Sequence, residues 1–325
     1  MSKTKIDWAD MVWNPTSGCS KVSEGCKNCY AEKMANRLQK MGLYKYRNGF
    51  KVECHDDEFD KRFPGKGKRI FVNSMSDLFH PEVPFDFVDS VFIEISRNPQ
   101  HTFIVLTKRP ERMKEYLVSD RSNHRLANLT GWPLKNLWLG VSVENQKAAD
   151  ERIPLLLKTP AALRFVSAEP MLEEIDLDIW GGDYFCPKCN SFFDETTYVS
   201  PCCGAETNGG DDYNCPECGE KFDESTEIPE CPHCGNSVGG LYIQPDGSGC
   251  FRKHERLQSL DWVICGCESG TNRRPFNADW ARSLRDQCEE SGVPFFLKQM
   301  SVNGKIVHMP ELDGKVWHQI PEAIK

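Results

Sequence analysis

The 325-residue chain has 39% hydrophobic and 27% charged residues, no run of 18 apolar residues, and no apolar secretory stretch in its first residues, MSKTKIDWADMVW. This composition excludes a disordered chain and a membrane-spanning one, so we expect a cytoplasmic protein without a membrane partner. The net charge of −8 is uneven, because residues 181–250 carry 13 acidic and two basic residues whereas the remainder carries 35 acidic and 38 basic residues.

Short apolar runs alternate with helical patterns along most of the chain. The apolar runs lie at residues 69–75, 101–107, 137–143, 163–170, 261–269 and 293–300. The helical patterns lie at residues 30–41, 84–98, 110–118, 145–158 and 277–291. Strands this apolar are buried on both faces, as in a parallel sheet. The alternation therefore predicts an α/β fold, either a (partial) TIM-like barrel of parallel strands or a doubly wound sheet, and the missing G-x-G-x-x-G motif disfavours a dinucleotide-binding domain.

Polar residues follow nearly every predicted strand. They are Asn73, Ser74, Ser76, Asp77, Thr107, Lys108, Ser142, Glu144, Ser167, Glu169, Glu268, Ser269, Lys298 and Gln299. A strand that leaves the core often ends in polar residues for structural reasons alone. The carboxyl ends of parallel strands also meet at one edge of the sheet, where α/β proteins collect their active sites, and the repeated pattern favours this second interpretation.

Three cysteines, Cys19, Cys26 and Cys29, precede the predicted helix 30–41. Because the cytosol keeps thiols reduced, we expect them to bind a metal rather than to form disulfides. A structural zinc site needs a fourth ligand, for which His55 or Cys54 is the nearest candidate along the chain. An iron–sulfur cluster on three thiolates instead leaves one iron open to a further ligand. Both interpretations stay open from the spacing alone.

Several segments resemble radical S-adenosylmethionine enzymes, in particular the spore photoproduct lyase-like branch. They are CKNCYA at 26–31, NSMSDLFHP at 73–81, VLTKRPERM at 105–113 and LWLGVSVEN at 137–145. Together with CGCESG at 265–270, these segments also resemble a family of unknown function that occurs in phage and prophage genomes, so a bacterial host cytoplasm is the expected location. Six residues separate Cys19 from Cys26, a longer gap than this branch usually has.

The resemblance implies that Cys19, Cys26 and Cys29 hold a [4Fe-4S] cluster whose open iron binds S-adenosylmethionine. Reductive cleavage of that cofactor would give a radical that abstracts hydrogen from a substrate, with electrons from a flavodoxin or ferredoxin type of donor. By strand order, the resemblance implies cofactor contacts from Ser74, Ser76, Asp77, Ser142, Glu144 and Tyr30. It also implies that three residues face the substrate as catalytic groups, namely Lys108, Glu169 and Glu268.

The resemblance implies a nucleic acid or nucleotide substrate that is modified or repaired. Two other functions stay open, namely a radical enzyme acting on a peptide or small metabolite and a non-enzymatic, zinc-stabilised adaptor protein. Two basic runs, DKRFPGKGKRI at 60–70 and RKHER at 252–256, would suit a phosphate backbone if they flanked the mouth of the barrel.

Residues 181–257 break the strand and helix alternation, and we predict that they form an acidic zinc-ribbon module inserted into a barrel of residues 1–180 and 258–325. Cys215, Cys218, Cys231 and Cys234 form two Cys-x-x-Cys pairs, the spacing of a zinc site. A second zinc site is predicted at Cys186, Cys189, Cys202 and Cys203, although ligands from the two sets could be exchanged. The metals would stabilise a module too small to fold alone, and its acidity disfavours a grip on phosphates.

Overall fold

The computed structural model describes residues 2–4, 6–118, 132–177, 260–270 and 272–322, together with six short strands between residues 178 and 259. The chain divides into two compact units. The first unit comprises Met1–Asp176 and Leu260–Lys325, and the second comprises Leu177–Ser259.

Short strands are numerous, and helices are few in the described residues. The strands are β1 (Ser2–Lys3), β2 (Met11–Trp13), β3 (Thr16–Ser17), β4 (Glu53–Cys54), β5 (Arg69–Val72), β6 (Thr102–Thr107), β7 (Leu137–Ser142), β8 (Leu163–Ala168), β9 (Tyr184–Cys186), β10 (Ser191–Phe193), β11 (Tyr213–Asn214), β12 (Lys221–Phe222), β13 (Tyr242–Ile243), β14 (Gly249–Cys250), β15 (Trp262–Gly266), β16 (Phe295–Val302), β17 (Lys305–His308), β18 (Glu311–Leu312) and β19 (Lys315–Val316). The α-helices are α1 (Tyr30–Lys40), α2 (Phe85–Ser96), α3 (Pro110–Val118), α4 (Gln146–Leu157) and α5 (Ala278–Ser291).

The first unit is built on one nine-stranded sheet in the order β1-β2-β5-β6-β7-β8-β15-β16-β17. Every neighbouring pair from β2 to β16 is parallel, and β1 and β17 add antiparallel strands at the two ends. The sheet curls into a half-barrel, so the predicted α/β partial barrel is confirmed. In its described residues the second unit shows three two-stranded antiparallel pairs, β9 with β10, β11 with β12, and β13 with β14.

A cluster of large side chains fills one face of the sheet. It contains Trp8, Ala9, Ile104, Trp138, Leu163, Phe165, Trp262, Ile264 and Phe296, all from strands or from the loop before β2. Burying each large apolar side chain contributes roughly 1.5–3 kcal/mol. Because side chains alternate along a strand, Ser142 lies on the same face of β7 as Trp138, and Lys298 follows Phe296 on β16. The packed face thus leads towards polar residues at the carboxyl ends of the strands.

Local sequence signals set the helix boundaries. The Asn145 side chain caps α4 by accepting a hydrogen bond from the Ala148 amide, and Asn277 caps α5 through the Asp279 amide. Gly292 ends α5 in the left-handed conformation that favours glycine. In the described part of the chain, no helix is both long and apolar enough to cross a membrane.

The predicted zinc ligands lie outside what the structure describes of the side chains. They are Cys186, Cys189, Cys202, Cys203, Cys215, Cys218, Cys231 and Cys234. The basic run at 252–256 also lies outside the described residues. The zinc module therefore stays a prediction.

Candidate active site

Cys19, Cys26 and Cys29 lie in the segment 18–29 between β3 and α1, which we call the cysteine loop. All three side chains are partly buried, and Cys29 occupies the N-cap position of α1 without a side-chain capping hydrogen bond. Burial raises the pKa of the Cys29 thiol, and the charge of Cys26 raises it further. Among the described residues, no group of three or more His, Cys, Asp or Glu side chains is arranged to hold a metal ion. The thiols are thus close enough to interact electrostatically but are not gathered around one point.

The donor set nevertheless fits an iron–sulfur cluster better than a closed zinc site. The charge of Cys26 raises the pKa of both Cys19 and Cys29, so the three thiols interact electrostatically. Neither candidate for a fourth zinc ligand contacts the three thiols in the described residues. The Cys54 side chain is exposed, and His55 Nε2 lies 2.7 Å from Ser17 Oγ. Three soft thiolate donors without a fourth suit a cluster with one open iron.

Arg109 fixes the first cysteine. Its buried guanidinium donates from Nη1 to Cys19 Sγ at 3.4 Å and to Asp77 Oδ2 at 2.9 Å. Nη2 donates to the carbonyl oxygen of Ser20 at 2.9 Å and to its hydroxyl at 3.0 Å. Burial and then the charge of Asp77 raise the pKa of Cys19 to about 11, against a smaller lowering by Arg109. The thiol is therefore protonated at neutral pH until a cation displaces the proton.

Asp77 joins the ends of β5 and β6. Its Oδ1 accepts hydrogen bonds from the Thr107 hydroxyl at 2.8 Å and from the Phe79 amide at 3.0 Å. Its Oδ2 accepts from the Lys108 amide at 3.2 Å and from Arg109. Asp77 is predicted to contact a cofactor, and that role stays a prediction. In the structure both of its carboxylate oxygens accept hydrogen bonds within the protein, and Oδ2 accepts the bond from Arg109.

The middle of the cysteine loop rests on a buried ion pair. Lys108 Nζ lies 2.6 Å from Glu144 Oε2, and Arg152 Nη1 approaches the same oxygen at 3.1 Å. A Cβ atom on Gly25 would lie only 2.8 Å from both Glu144 Oε2 and Lys108 Nζ. Burial favours a higher pKa for Glu144, but attraction to Lys108 and Arg152 outweighs it and lowers the pKa to about 2. Glycine is thus the residue that lets the loop backbone approach this pair.

Glu268 fixes the second half of the cysteine loop. Its Oε2 accepts from Asn28 Nδ2 at 2.9 Å and from the Arg274 amide at 2.8 Å. Arg274 pairs with the same carboxylate and also donates to the carbonyl oxygen of Glu24 at 3.0 Å. Burial favours a higher pKa for Glu268, yet the hydrogen bonds from Arg274 and Asn28 outweigh it and lower the pKa.

Glu169 and Lys298 form an ion pair with each other, and in the part of the chain that the structure describes neither side chain hydrogen-bonds to the cysteine loop. The two residues come from the ends of β8 and β16, and β15 lies between these strands. Gly266 of β15 is 3.5 Å from Glu169 when a Cβ is added, so the pair crosses β15 where there is no side chain. The side chains are 18% and 15% exposed, which leaves them accessible to a small ligand.

The predicted hydroxyl ligands mostly hold neighbouring strands. Ser74 donates to Asn14 Oδ1 at 3.1 Å, and Ser76 donates to the Thr16 carbonyl at 2.9 Å. Ser142 donates to the carbonyl of Glu169 at 3.0 Å. Tyr30 is 57% exposed. The contacts with a cofactor that the resemblance implies for these four residues stay predictions.

Sequence reasoning missed the residues that orient the predicted ones. Arg109, Arg152 and Arg274 supply the cations, and Gly25 and Asn28 supply the close contacts of the loop. Arg109 is adjacent to Lys108 in the sequence, so strand-end position alone could have identified it. The other four depend on contacts between distant segments.

The basic run at 60–70 lies away from this edge of the sheet. The run leads into β5, whose first residue is Arg69, so it lies at the amino end of that strand, and Thr102 at the start of β6 donates its amide to the Lys68 carbonyl. Lys61 pairs with Glu58 at 2.6 Å. This run therefore does not flank the carboxyl-end mouth of the barrel, which was the condition for it to bind a phosphate backbone there.

Comparison with known proteins gives a family and distant structural likenesses. The sequence profile of the family described as "Protein of unknown function (DUF5131)" matches residues 3–321. The similar solved structures include a spore photoproduct lyase mutant with bound AdoMet and dinucleoside spore photoproduct, at 14% identity and a TM-score of 0.34. They also include the lyase complexed with the dinucleoside spore photoproduct, at 13% identity and a TM-score of 0.35. Each likeness covers 52% of this chain and 48% of the other.

This chain thus spans about half the length of the solved structures it matches. A likeness with so low a score carries no conclusion about activity. The search of curated proteins gives no match.

Proposed function

The chain belongs to the DUF5131 family, and we propose that it is a radical S-adenosylmethionine enzyme. The observation that carries the proposal is the cysteine loop, which offers three thiols without a fourth and is held by buried ion pairs at the carboxyl ends of parallel strands. A structural metal site needs no such placement, whereas catalytic sites of α/β proteins collect at this edge.

Cys19, Cys26 and Cys29 would hold a [4Fe-4S] cluster. When bound, such a cluster leaves one iron open for S-adenosylmethionine and supplies the electron that cleaves it. The chain's own groups do the positioning. Arg109 holds the first thiol, Gly25 lets the loop rest on Lys108 and Glu144, and Glu268 holds Asn28. Three residues first assigned to cofactor or substrate thus support the cysteine loop.

Glu169 and Lys298 are the best candidates for contact with the cofactor or substrate. A carboxylate beside an ammonium group offers an acceptor next to a donor, and both side chains keep some exposure. The cluster of large side chains that contains Trp138 and Trp262 fills one face of the sheet and excludes water from that face. The pair therefore lies at the border between the dry core and the open edge.

We infer a nucleic acid or nucleotide as the substrate class. The support is electrostatic, because outside residues 181–250 the chain has 38 basic and 35 acidic residues and does not repel a polyanion. Binding of a fluorescent single-stranded oligonucleotide should weaken as salt is raised from 50 to 200 mM. Binding that is absent at 50 mM would instead favour a peptide or small metabolite.

Anaerobic reconstitution with iron and sulfide tests the activity. We expect a brown protein that releases 5′-deoxyadenosine from S-adenosylmethionine after reduction with dithionite. The Cys26→Ala variant should lose this product, because it removes one of the three ligands. Cys54→Ala is the matched control, since Cys54 is exposed and lies outside the cysteine loop.

The controls separate the open cluster from a zinc site. If Cys54 were a fourth ligand, Cys54→Ala would impair metal binding as strongly as Cys26→Ala. A colourless wild-type protein that retains only zinc would contradict the proposal. A stable, brown protein without product would leave another iron–sulfur role as the explanation.

A further inference from the structure

Arg109 is the one guanidinium in the described residues that contacts both a thiol of the cysteine loop and a buried carboxylate. It is 8% exposed, and its two terminal nitrogens make four hydrogen bonds to Cys19, Asp77 and Ser20. The planar fork of arginine suits this arrangement because it presents several donors in fixed directions. A lysine would reach one of these acceptors but not all.

The surroundings hold the guanidinium rigidly. Asp77 cannot rotate freely, since Thr107, Phe79 and the Lys108 amide also bind its carboxylate. On the other side, the Ser20 hydroxyl is 2.7 Å from His80 Nε2. The Glu82 amide donates to His80 Nδ1, so Nε2 carries the proton and donates to Ser20. The two hydrogen-bond partners Asp77 and Ser20 are thus themselves held by other residues, which fixes the position of the Arg109 guanidinium.

Arg109 contacts both the sulfur of Cys19 and the backbone beside it. Nη1 lies 3.4 Å from Cys19 Sγ, and Nη2 donates to the Ser20 carbonyl at 2.9 Å. Cys19 Sγ itself lies 3.4 Å from that same carbonyl oxygen. The guanidinium therefore fixes the position of the sulfur relative to the loop backbone and places an N–H donor on it.

We propose that Arg109 is a positioning residue that holds Cys19 for iron ligation and raises the reduction potential of the bound cluster. The inference rests on the proposed function, since it needs a cluster on Cys19. Hydrogen bonds to the sulfurs and nearby charge set the potential of an iron–sulfur cluster. An N–H donor on a ligand sulfur stabilises the added electron, so its removal makes reduction harder.

The test compares Arg109→Gln with Arg112→Gln in the reconstituted protein. Arg112 is a matched control because it also binds a backbone carbonyl, that of Val83 at 2.7 Å, but contacts no cysteine of the loop. Midpoint potentials are measured by redox titration followed by electron paramagnetic resonance. We expect Arg109→Gln to shift the reduction equilibrium at least tenfold against the reduced form, which corresponds to about 59 mV. Arg112→Gln should match wild type.

Two further measurements protect the test against misfolding. The double variant Arg109→Gln with Asp77→Asn leaves no buried unpaired charge, so it keeps the net charge of the wild-type pair. It should fold and still show part of the negative shift, which then comes from the lost hydrogen bond to sulfur. In the metal-free protein, hydrogen exchange of residues 18–22 should be faster in Arg109→Gln than in Arg112→Gln, because Ser20 loses its anchor.

The outcomes distinguish the inference from the proposed function. A wild-type protein that binds no cluster overturns both. A wild-type protein with a cluster, combined with an unchanged potential in Arg109→Gln and in the double variant, overturns the inference alone. A shift equal in Arg112→Gln would show a general structural effect and would also overturn it.

Discussion

The two edges of the same sheet carry ion pairs of different kinds. At the amino edge, Asp10 lies 4.0 Å from both Lys68 and Arg69, and these side chains are between 34% and 43% exposed. At the carboxyl edge, Lys108 lies 2.6 Å from Glu144, whose side chain is 1% exposed. Solvent-exposed pairs contribute about 0–1 kcal/mol, whereas breaking a buried pair leaves a costly isolated charge.

The difference in burial predicts that ion pairs at the carboxyl edge stabilise the fold more than ion pairs at the amino edge. Loose pairs at the amino edge tolerate change, because water replaces a lost partner. Three pairs at the carboxyl edge contact the cysteine loop, namely Asp77 with Arg109 through Cys19, Lys108 with Glu144 at Gly25, and Glu268 with Arg274 through Asn28. Charged residues that a sequence pattern assigns to catalysis thus position the loop that carries the thiols.

The largest effect is expected from Glu144→Gln. The change leaves Lys108 and Arg152 beside a neutral amide in a buried place. Removing one partner of a buried pair costs about 3–5 kcal/mol in the free energy of unfolding. Urea unfolding followed by circular dichroism measures the loss. A loss below about 1 kcal/mol would show that the pair behaves as a surface one.

The second prediction concerns how the difference in unfolding free energy between wild type and Glu144→Gln depends on pH. Glu144 has a folded-state pKa of about 2 against an ordinary value of 4.5, so its ionised form stabilises the fold above pH 4.5. The contribution is lost as pH falls from 4.5 towards 2, and the shift corresponds to roughly 3 kcal/mol. The stability difference between wild type and Glu144→Gln should therefore narrow between pH 6 and pH 3. A constant difference would contradict the lowered pKa.

Gly25→Ala should have an intermediate effect. The added methyl group would lie 2.8 Å from two charged atoms, and overpacking of this kind costs about 1–3 kcal/mol. We also expect less iron bound per chain after reconstitution, because the loop must move off the ion pair. Gly266→Ala is the control at the same edge, since its Cβ would meet neighbours at 3.4–3.5 Å, an ordinary contact distance. Equal effects of the two variants would refute the close approach of the loop.

The smallest effect is expected from Asp10→Asn at the amino edge. Both of its cation contacts are long and exposed, and its carboxylate also accepts a hydrogen bond from the Arg69 amide at 2.8 Å, which an asparagine oxygen can retain. The unfolding free energy should fall by less than about 1 kcal/mol. A loss as large as that of Glu144→Gln would remove the contrast between the edges.

Much of the fold could be predicted from hydrophobic periodicity. The apolar run at 137–143 became β7 at Leu137–Ser142, which is buried throughout, and the pattern at 277–291 became α5 at Ala278–Ser291. Strands buried on both faces and helices with one apolar side have local signatures. The short β2 at Met11–Trp13 was harder to predict, because three residues give too little periodicity.

The candidate site was predicted only in part. Strand-end position predicted that Lys108 and Glu144 lie at one edge of the sheet, but not that they form an ion pair with each other. It did not give their role, which depends on Gly25 approaching them from a distant segment. The pairing of Glu268 with Asn28 joins residues 240 positions apart, and no local pattern encodes such a contact.

The spectrum of the reduced, reconstituted protein before and after addition of S-adenosylmethionine tests the central claim most directly. With three thiolates and one open iron, electron paramagnetic resonance should show a reduced [4Fe-4S] signal whose g-values change when S-adenosylmethionine is added, and the Cys54→Ala variant should behave identically. A signal that S-adenosylmethionine leaves unchanged, or a protein that binds zinc but no iron, would contradict the account.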